Sequence, residues 1–190
     1  MSDRLTPVSG NLDEVAHRYV DALTGGPRGA TIVGKDGKLI GPFDAWLRRP
    51  ELGSALGALG EVLRFRGMLT PATREIVILT VATRWKAEFE FFAHARFARD
   101  AGVSDAVIDA IASGVTPPFE DDADRLAHEL TLALGTTGTL SDTEYRDAVA
   151  SFGEPATVEL VILVGYYGLV SYTLNAFHVA LPEGVSARWT

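Results

Sequence analysis

Apolar residues recur through most of this chain with the period of a helix. "NLDEVAHRYVDALTG" places Leu12, Val15, Tyr19 and Leu23 at helical spacing and runs into Gly25–Gly26, which predicts a first helix. In "ATIVGKDGKLIGPF", the turn signal Asp36–Gly37 separates two short apolar pieces, so a small extended excursion is expected near residues 30–42. "DAWLRRPELGSALGALGEVLRFRG" reads as a short helical turn, a break at Pro50 and a helix to about Phe65. Its "GSALGALG" is glycine–alanine helix packing, with the wrong spacing for a nucleotide fingerprint or a phosphate loop.

The second half is punctuated more sharply. Thr70 as N-cap and Pro71 at the first helical position open "TPATREIVILTVATRW". "AEFEFFAHARFARDAG" follows and ends at Gly102 in a C′ role. Ser104 caps "DAVIDAIASG", which stops at Gly114. "PPFEDDADRLAHELTLALG" begins at Pro117–Pro118 with acids suited to the positive end of a helix dipole. Ser141 and Glu144 have capping-box spacing at the start of "SDTEYRDAVASFG". Pro155 starts a long apolar helix to about Phe177, and "LPEGVSARWT" is a tail. Many helices with short connections predict an all-α domain.

Composition narrows the function. The 190 residues favour one domain, and 47% hydrophobic content is enough for a sizeable core. A net charge of −8, from 25 acids against 17 bases, argues against a nucleic-acid partner, because Arg48–Arg49 and Arg64 with Arg66 are no more than solvated faces. The absence of cysteine excludes disulfides, thiolate metal sites and thiol chemistry. "MSDRLTPVSG" lacks an apolar h-region, so the expected location is cytoplasmic. The uncharged run "LVILVGYYGLVSYTLNAF" reaches the lower limit for a membrane span. Its two glycines, Asn175 and three tyrosines read instead as a buried core or interface helix.

Against this background Glu90 and His94 stand out. On a helical wheel Glu88, Arg96, Arg99 and Asp100 gather on a wet face, while Glu90 and His94 fall opposite, beside Phe97, Ala98 and Ala101. Four residues apart, the two side chains can touch. Alone, such a pair could simply fix a helix register. Glu75, however, projects from a helix that is apolar nearly all round. The short link at Trp85–Lys86 predicts that helices 71–84 and 87–102 pack as an antiparallel hairpin. Two buried acids and an imidazole would then converge, an arrangement typical of acid–base sites. The same three side chains form an oxygen–nitrogen donor set, but a carboxylate-rich helical metal site usually repeats its motif on a second helix, so no metal is assigned. His17 and His128 sit on ordinary amphipathic helices and receive no role. Phe89 and Phe92 lie toward the charged side of their helix, which hints at burial by another subunit.

"GPFDAWLRRPELG", "REIVILTVATRWKAEFEFFAHARFARDAGVSD" and "YYGLVSYTLNAFHVALPEG" together resemble the carboxymuconolactone decarboxylase family, within the alkyl hydroperoxidase D-like superfamily. The likeness covers about residues 38–184, leaving 1–37 as an N-terminal helix and connection and 185–190 as a tail. It implies an all-α homo-oligomer (dimer, trimer or hexamer). In the peroxidase branch, an acid matching Glu75 and a histidine matching His94 relay protons to two cysteines, which align with Ala87 and Glu90 here. Thiol peroxidase activity therefore does not carry over, and the chain resembles the cysteine-free branch. The resemblance implies a cofactor-independent lyase or isomerase acting on a small carbonyl or lactone substrate. His94 would be the general acid–base, Glu90 would orient it, and Glu75 would be the second acid. Trp85, Phe91, Tyr167 and His178 are expected to line the substrate pocket. His178 stands where most relatives have an acid, and its other reading is a helix-end histidine beside the C-terminal dipole. The alternative for the whole chain is a non-catalytic helical oligomer that binds a hydrophobic small molecule or a protein.

Overall fold

A computed structural model describes residues 4–6, 8, 12–35 and 37–189. The chain divides into two compact units, one of Met1–Arg66 with Thr173–Ala180 and one of Gly67–Tyr172 with Leu181–Thr190.

The first unit holds α1 (Glu14–Gly25), a 3-10 turn (Gly29–Ile32), α2 (Pro42–Trp46) and α3 (Pro50–Phe65). Asp13 caps α1 by accepting from the Ala16 N–H. α1 lies close on α3 because α3 turns glycines toward it. A Cβ on Gly53 would stand 2.9 Å from the Tyr19 ring, and one on Gly57 would stand 3.1 Å from Leu23. The Tyr19 hydroxyl, in turn, donates to the Phe43 carbonyl at 3.1 Å. The excursion near 30–42 is smaller than a hairpin. Among the described residues it contains one antiparallel bridge, between Val33 and Leu39, and the 3-10 turn takes up its first residues. Asp36 of the turn signal lies outside the described residues, while Gly37 adopts φ +78°.

The second unit is built around α4 (Pro71–Arg84), which packs against α5 (Glu88–Asp100), α6 (Asp105–Ser113) and α7 (Asp122–Thr137). Being covered on three sides explains its unbroken apolar run: every position from Glu75 to Ala82 is buried. Thr70 caps α4 as predicted, accepting from the Thr73 N–H. The predicted α4–α5 hairpin is present. Its turn satisfies the last α4 carbonyls through Lys86 N–H to Thr83 and Ala87 N–H to Ala82, which places Lys86 at φ +49° where glycine is usual.

Two boundaries differ from the sequence pattern. The helix does not begin at Pro117–Pro118, although Asp122 and Asp124 of the expected acids do lie in its first turn. Asp121 is itself the N-cap, accepting from Ala123 and Asp124, so α7 starts at Asp122. α7 also passes through Gly135 and closes at Gly138, whose φ of +74° suits a helix stop. α8 (Asp142–Phe152) opens with the predicted capping box of Ser141 and Glu144. The tail is tied down rather than loose. The Glu88 carboxylate accepts from the N–H groups of Arg188 and Trp189 at 2.8 and 2.6 Å. The Trp189 indole donates to the Ala112 carbonyl at 3.1 Å.

α9 (Glu154–Phe177) supplies residues to both units. By length and composition it is apolar enough to cross a membrane, and 44% of its apolar window is buried within the chain.

Candidate functional site

The second unit brings Glu75, Glu90 and His94 together. Glu75 sits in the second turn of α4. Glu90 and His94 occupy one face of α5, and the hairpin turns that face onto α4. The three residues are 1%, 4% and 4% exposed. His94 Nδ1 donates to Glu75 Oε2 at 2.5 Å, and His94 Nε2 stands 3.1 Å from Glu90 Oε1. Both ring nitrogens therefore face carboxylates, on opposite edges of the imidazole.

This geometry biases the charge state. Burial by itself lowers the His94 pKa, since a dry site disfavours imidazolium. Glu75, then Glu90, outweigh that effect through their charges and hydrogen bonds, and the pKa ends above its ordinary value of 6.5. The two carboxylates accordingly favour the protonated ring, in which both N–H groups are engaged. Arg74 completes the set. Its guanidinium Nε lies 3.4 Å from Glu75 Oε1, and its side chain is 15% exposed. With the ring protonated, two carboxylates are matched by two cations, which is how a buried ionic cluster avoids a large desolvation cost. Because Glu75 and Glu90 flank His94 from opposite sides, the three donors do not converge on a point. Among the described residues no group of three metal-ligating side chains is poised to hold an ion.

The other predicted site residues separate. Tyr167, buried on α9, stands edge-on to His94 with ring centroids 5.2 Å apart, and Phe97 adds a second ring at 5.6 Å. Phe91 faces elsewhere. It belongs to the cluster between α4, α5 and α6, where Trp189 packs edge-on to it at 5.2 Å and the Arg188 guanidinium covers its ring at 5.1 Å. Trp85 lies in the hairpin turn, in contact with Tyr172 at 4.7 Å. It lines a shallow groove with Arg84, Leu132 and Val164, and this groove includes none of Glu75, Glu90 or His94. His178 belongs to the other unit. It takes φ +54° just past α9, its N–H bonding to the Asn175 carbonyl, so it serves as the left-handed stop of that helix.

Two residues were missed at the sequence level. Arg74 directly precedes Glu75, and adjacent helical positions point in different directions; only the length of the guanidinium side chain lets it fold back. His128 bonds the Thr80 hydroxyl at 2.8 Å, joining α7 to α4, and burial lowers its pKa.

Residues 50–131, which carry the whole Glu75–Glu90–His94 cluster, match the model of the carboxymuconolactone decarboxylase family. These helices are similar to that family. The matched segment is narrower than the resemblance over 38–184, but it contains the hairpin on which the resemblance rests. Among solved structures, a cysteine-to-alanine variant of the debrominase Bmp8, crystallised with 2,3,4-tribromopyrrole, is similar with a TM-score of 0.65 over 90% of this chain and 85% of that one. At 15% identity that likeness speaks for the fold alone, which is all-α among the described residues. No curated protein sequence matches the chain. The chain is thus similar to the carboxymuconolactone decarboxylase family over residues 50–131.

Proposed function

We infer that the chain is a cofactor-independent carboxymuconolactone decarboxylase-type enzyme, doing acid–base chemistry on a small carbonyl or lactone substrate. The observation that carries this reading is a buried imidazole with a carboxylate at each of its two ring nitrogens. The Nδ1 edge, with the shorter bond to Glu75 and Arg74 behind it, is the fixed side. The Nε2 edge, with the longer contact to Glu90, is the working side. In a decarboxylation, the bond to the leaving carboxylate breaks and its electron pair passes into the adjacent carbonyl as an enolate. The positive ring stabilises that charge, the Nε2 proton moves to carbon, and water restores it through Glu90. In an isomerisation, Glu90 takes a proton from one carbon and returns it to another. Tyr167 and Phe97, whose rings lie 5.2 and 5.6 Å from that of His94, are the aromatic neighbours such a substrate would meet.

The test is a panel of lactone and keto acids followed for product and for solvent-deuterium incorporation, on chelator-treated protein. Loss of His94 should lower turnover by about 10²–10⁴, the usual contribution of positioned acid–base catalysis. His94→Ala and wild type turning over equally would remove the role.

The near-complete burial of the cluster favours a second reading, a non-catalytic helical protein in which the same ions merely lock α4 to α5. That reading predicts no turnover with any substrate in the panel and a large stability loss in His94→Ala.

A further inference from the structure

One fully buried hydroxyl in the second unit has no hydrogen-bond partner within the chain. Thr80, Thr131 and Thr157 each return their hydroxyl to the carbonyl one turn back, at Ile76, Ala127 and Gly153, and the Thr73 hydroxyl donates to Asp124. Such a back-bond is the usual way a helical hydroxyl is satisfied. Ser171 on α9 is 0% exposed, and its Oγ makes no such bond. A buried polar atom left unpaired is costly, so a chain that keeps one there points to a partner supplied from outside it.

The direction of α9 sets this hydroxyl beside the ionic cluster. The Glu159 carboxylate accepts from the Met68 and Leu69 N–H groups just before α4 begins. Farther along, Tyr172 packs on Trp85 just after α4 ends, and a Cβ on Gly168 would stand 4.0 Å from the Trp85 Nε1. α9 therefore runs parallel to α4 and antiparallel to α5. Tyr167 stands against His94. One turn from Tyr167 toward the hairpin link comes Ser171, and one turn from His94 in the same direction comes Glu90. Ser171 lies about 40° round the helix from Tyr167, on the same buried face.

We propose that Ser171 is a substrate-binding residue, its hydroxyl donating to a second carbonyl oxygen of the substrate while the first carbonyl lies at His94 Nε2. The assignment rests on the acid–base reading of His94 for the place of the first carbonyl. It narrows the substrate to a small carbonyl compound with a second oxygen about 5 Å from the first, the rise of one helical turn. That second group is an acceptor, because the serine hydroxyl has a proton to give. It is also uncharged. Glu90 occupies the same level of the site at 4% exposure, and a second carboxylate there would face its charge in a dry environment. Ser171 thus selects the substrate and fixes which end enters first, while His94 and Glu90 move the proton.

Cyclohexane-1,4-dione and cyclohexanone test this as a matched pair, differing by one carbonyl whose oxygen lies about 5 Å from the first. Calorimetric titration reads their binding whether or not they turn over. Wild type should bind the dione about tenfold more tightly than cyclohexanone, and in Ser171→Ala that ratio should fall to about one. The thermal midpoint of the free protein should not drop in Ser171→Ala, since the hydroxyl removed has no partner in the chain; a purely structural serine would lower it. Binding and turnover keep the two readings apart. Solvent-deuterium exchange next to the dione carbonyl that His94→Ala leaves intact would remove the acid–base role, while the binding ratio still reports on Ser171. Failure of wild type to bind the dione, the same ratio in wild type and Ser171→Ala, or a lowered midpoint in the variant would overturn the assignment.

Discussion

Replacing Glu75 by glutamine tests the ionic cluster with minimal change of shape. Glu75 Oε2 accepts from His94 at 2.5 Å and Oε1 faces Arg74 at 3.4 Å. In Glu75→Gln the amide still fits, but one of its two heavy atoms is now a donor turned toward a cation. The charge balance changes from two against two to Glu90 alone against Arg74 and His94. Removing one partner of a buried ion pair typically costs about 3–5 kcal/mol. The lower end, about 3 kcal/mol, applies here because Glu90 remains and imidazolium can release its proton.

The loss should depend on pH in a fixed sense. The His94 pKa is raised in the folded chain, so its ionic contribution is fully present below the unfolded value of 6.5 and disappears as pH rises through the folded pKa. Denaturant unfolding followed by far-UV circular dichroism, at pH 6 and at pH 9, measures this. The variant should be less stable by about 3 kcal/mol at the lower pH, with a clearly smaller difference at the higher one. Equal losses at both pH values, or no loss at pH 6, would refute the reasoning.

Three further substitutions probe the fold. Gly53→Ala should destabilise the first unit by about 1–3 kcal/mol, since its Cβ would press on the Tyr19 ring and the Trp46 carbonyl; thermal unfolding with Trp46 fluorescence reads it. Lys86→Gly should stabilise the hairpin by about 1 kcal/mol by relieving a left-handed lysine, seen as a higher unfolding midpoint. Trp189→Ala should cost about 2 kcal/mol, because a half-buried indole, its bond to Ala112 and its packing on Phe91 all go. Protease sensitivity of the tail should rise with it.

Much of this architecture was legible because the chain marks its helix ends with local chemistry. Thr70, Ser104 and Ser141 cap within three residues of themselves, so no tertiary knowledge is needed to see them. The wheel placed Glu90 and His94 together for the same reason, and the short Trp85–Lys86 link brought Glu75 to them. What escaped depends on contacts far along the chain or on side-chain reach. Nothing near "SARWT" shows that Trp189 docks onto Phe91 and Ala112. Nothing in "TRE" shows that Arg74 folds back on its neighbour. The start of α7 was misplaced because a run of acids fits both a first turn and an N-cap, and the competition among their backbone bonds decides between them. Phe91 and His94 are only three residues apart, yet they face different neighbours. The pattern marks both positions as buried without saying against what.

The account turns on the protonation of one ring. A ¹⁵N–¹H long-range spectrum of the histidine side chains at neutral pH reads it directly, with His94→Gln used to assign the signals. Two protonated nitrogens on His94 at neutral pH, with titration displaced upward from 6.5, are what a ring clasped by Glu75 and Glu90 predicts. A neutral ring with a single N–H, titrating at or below that value, would contradict it.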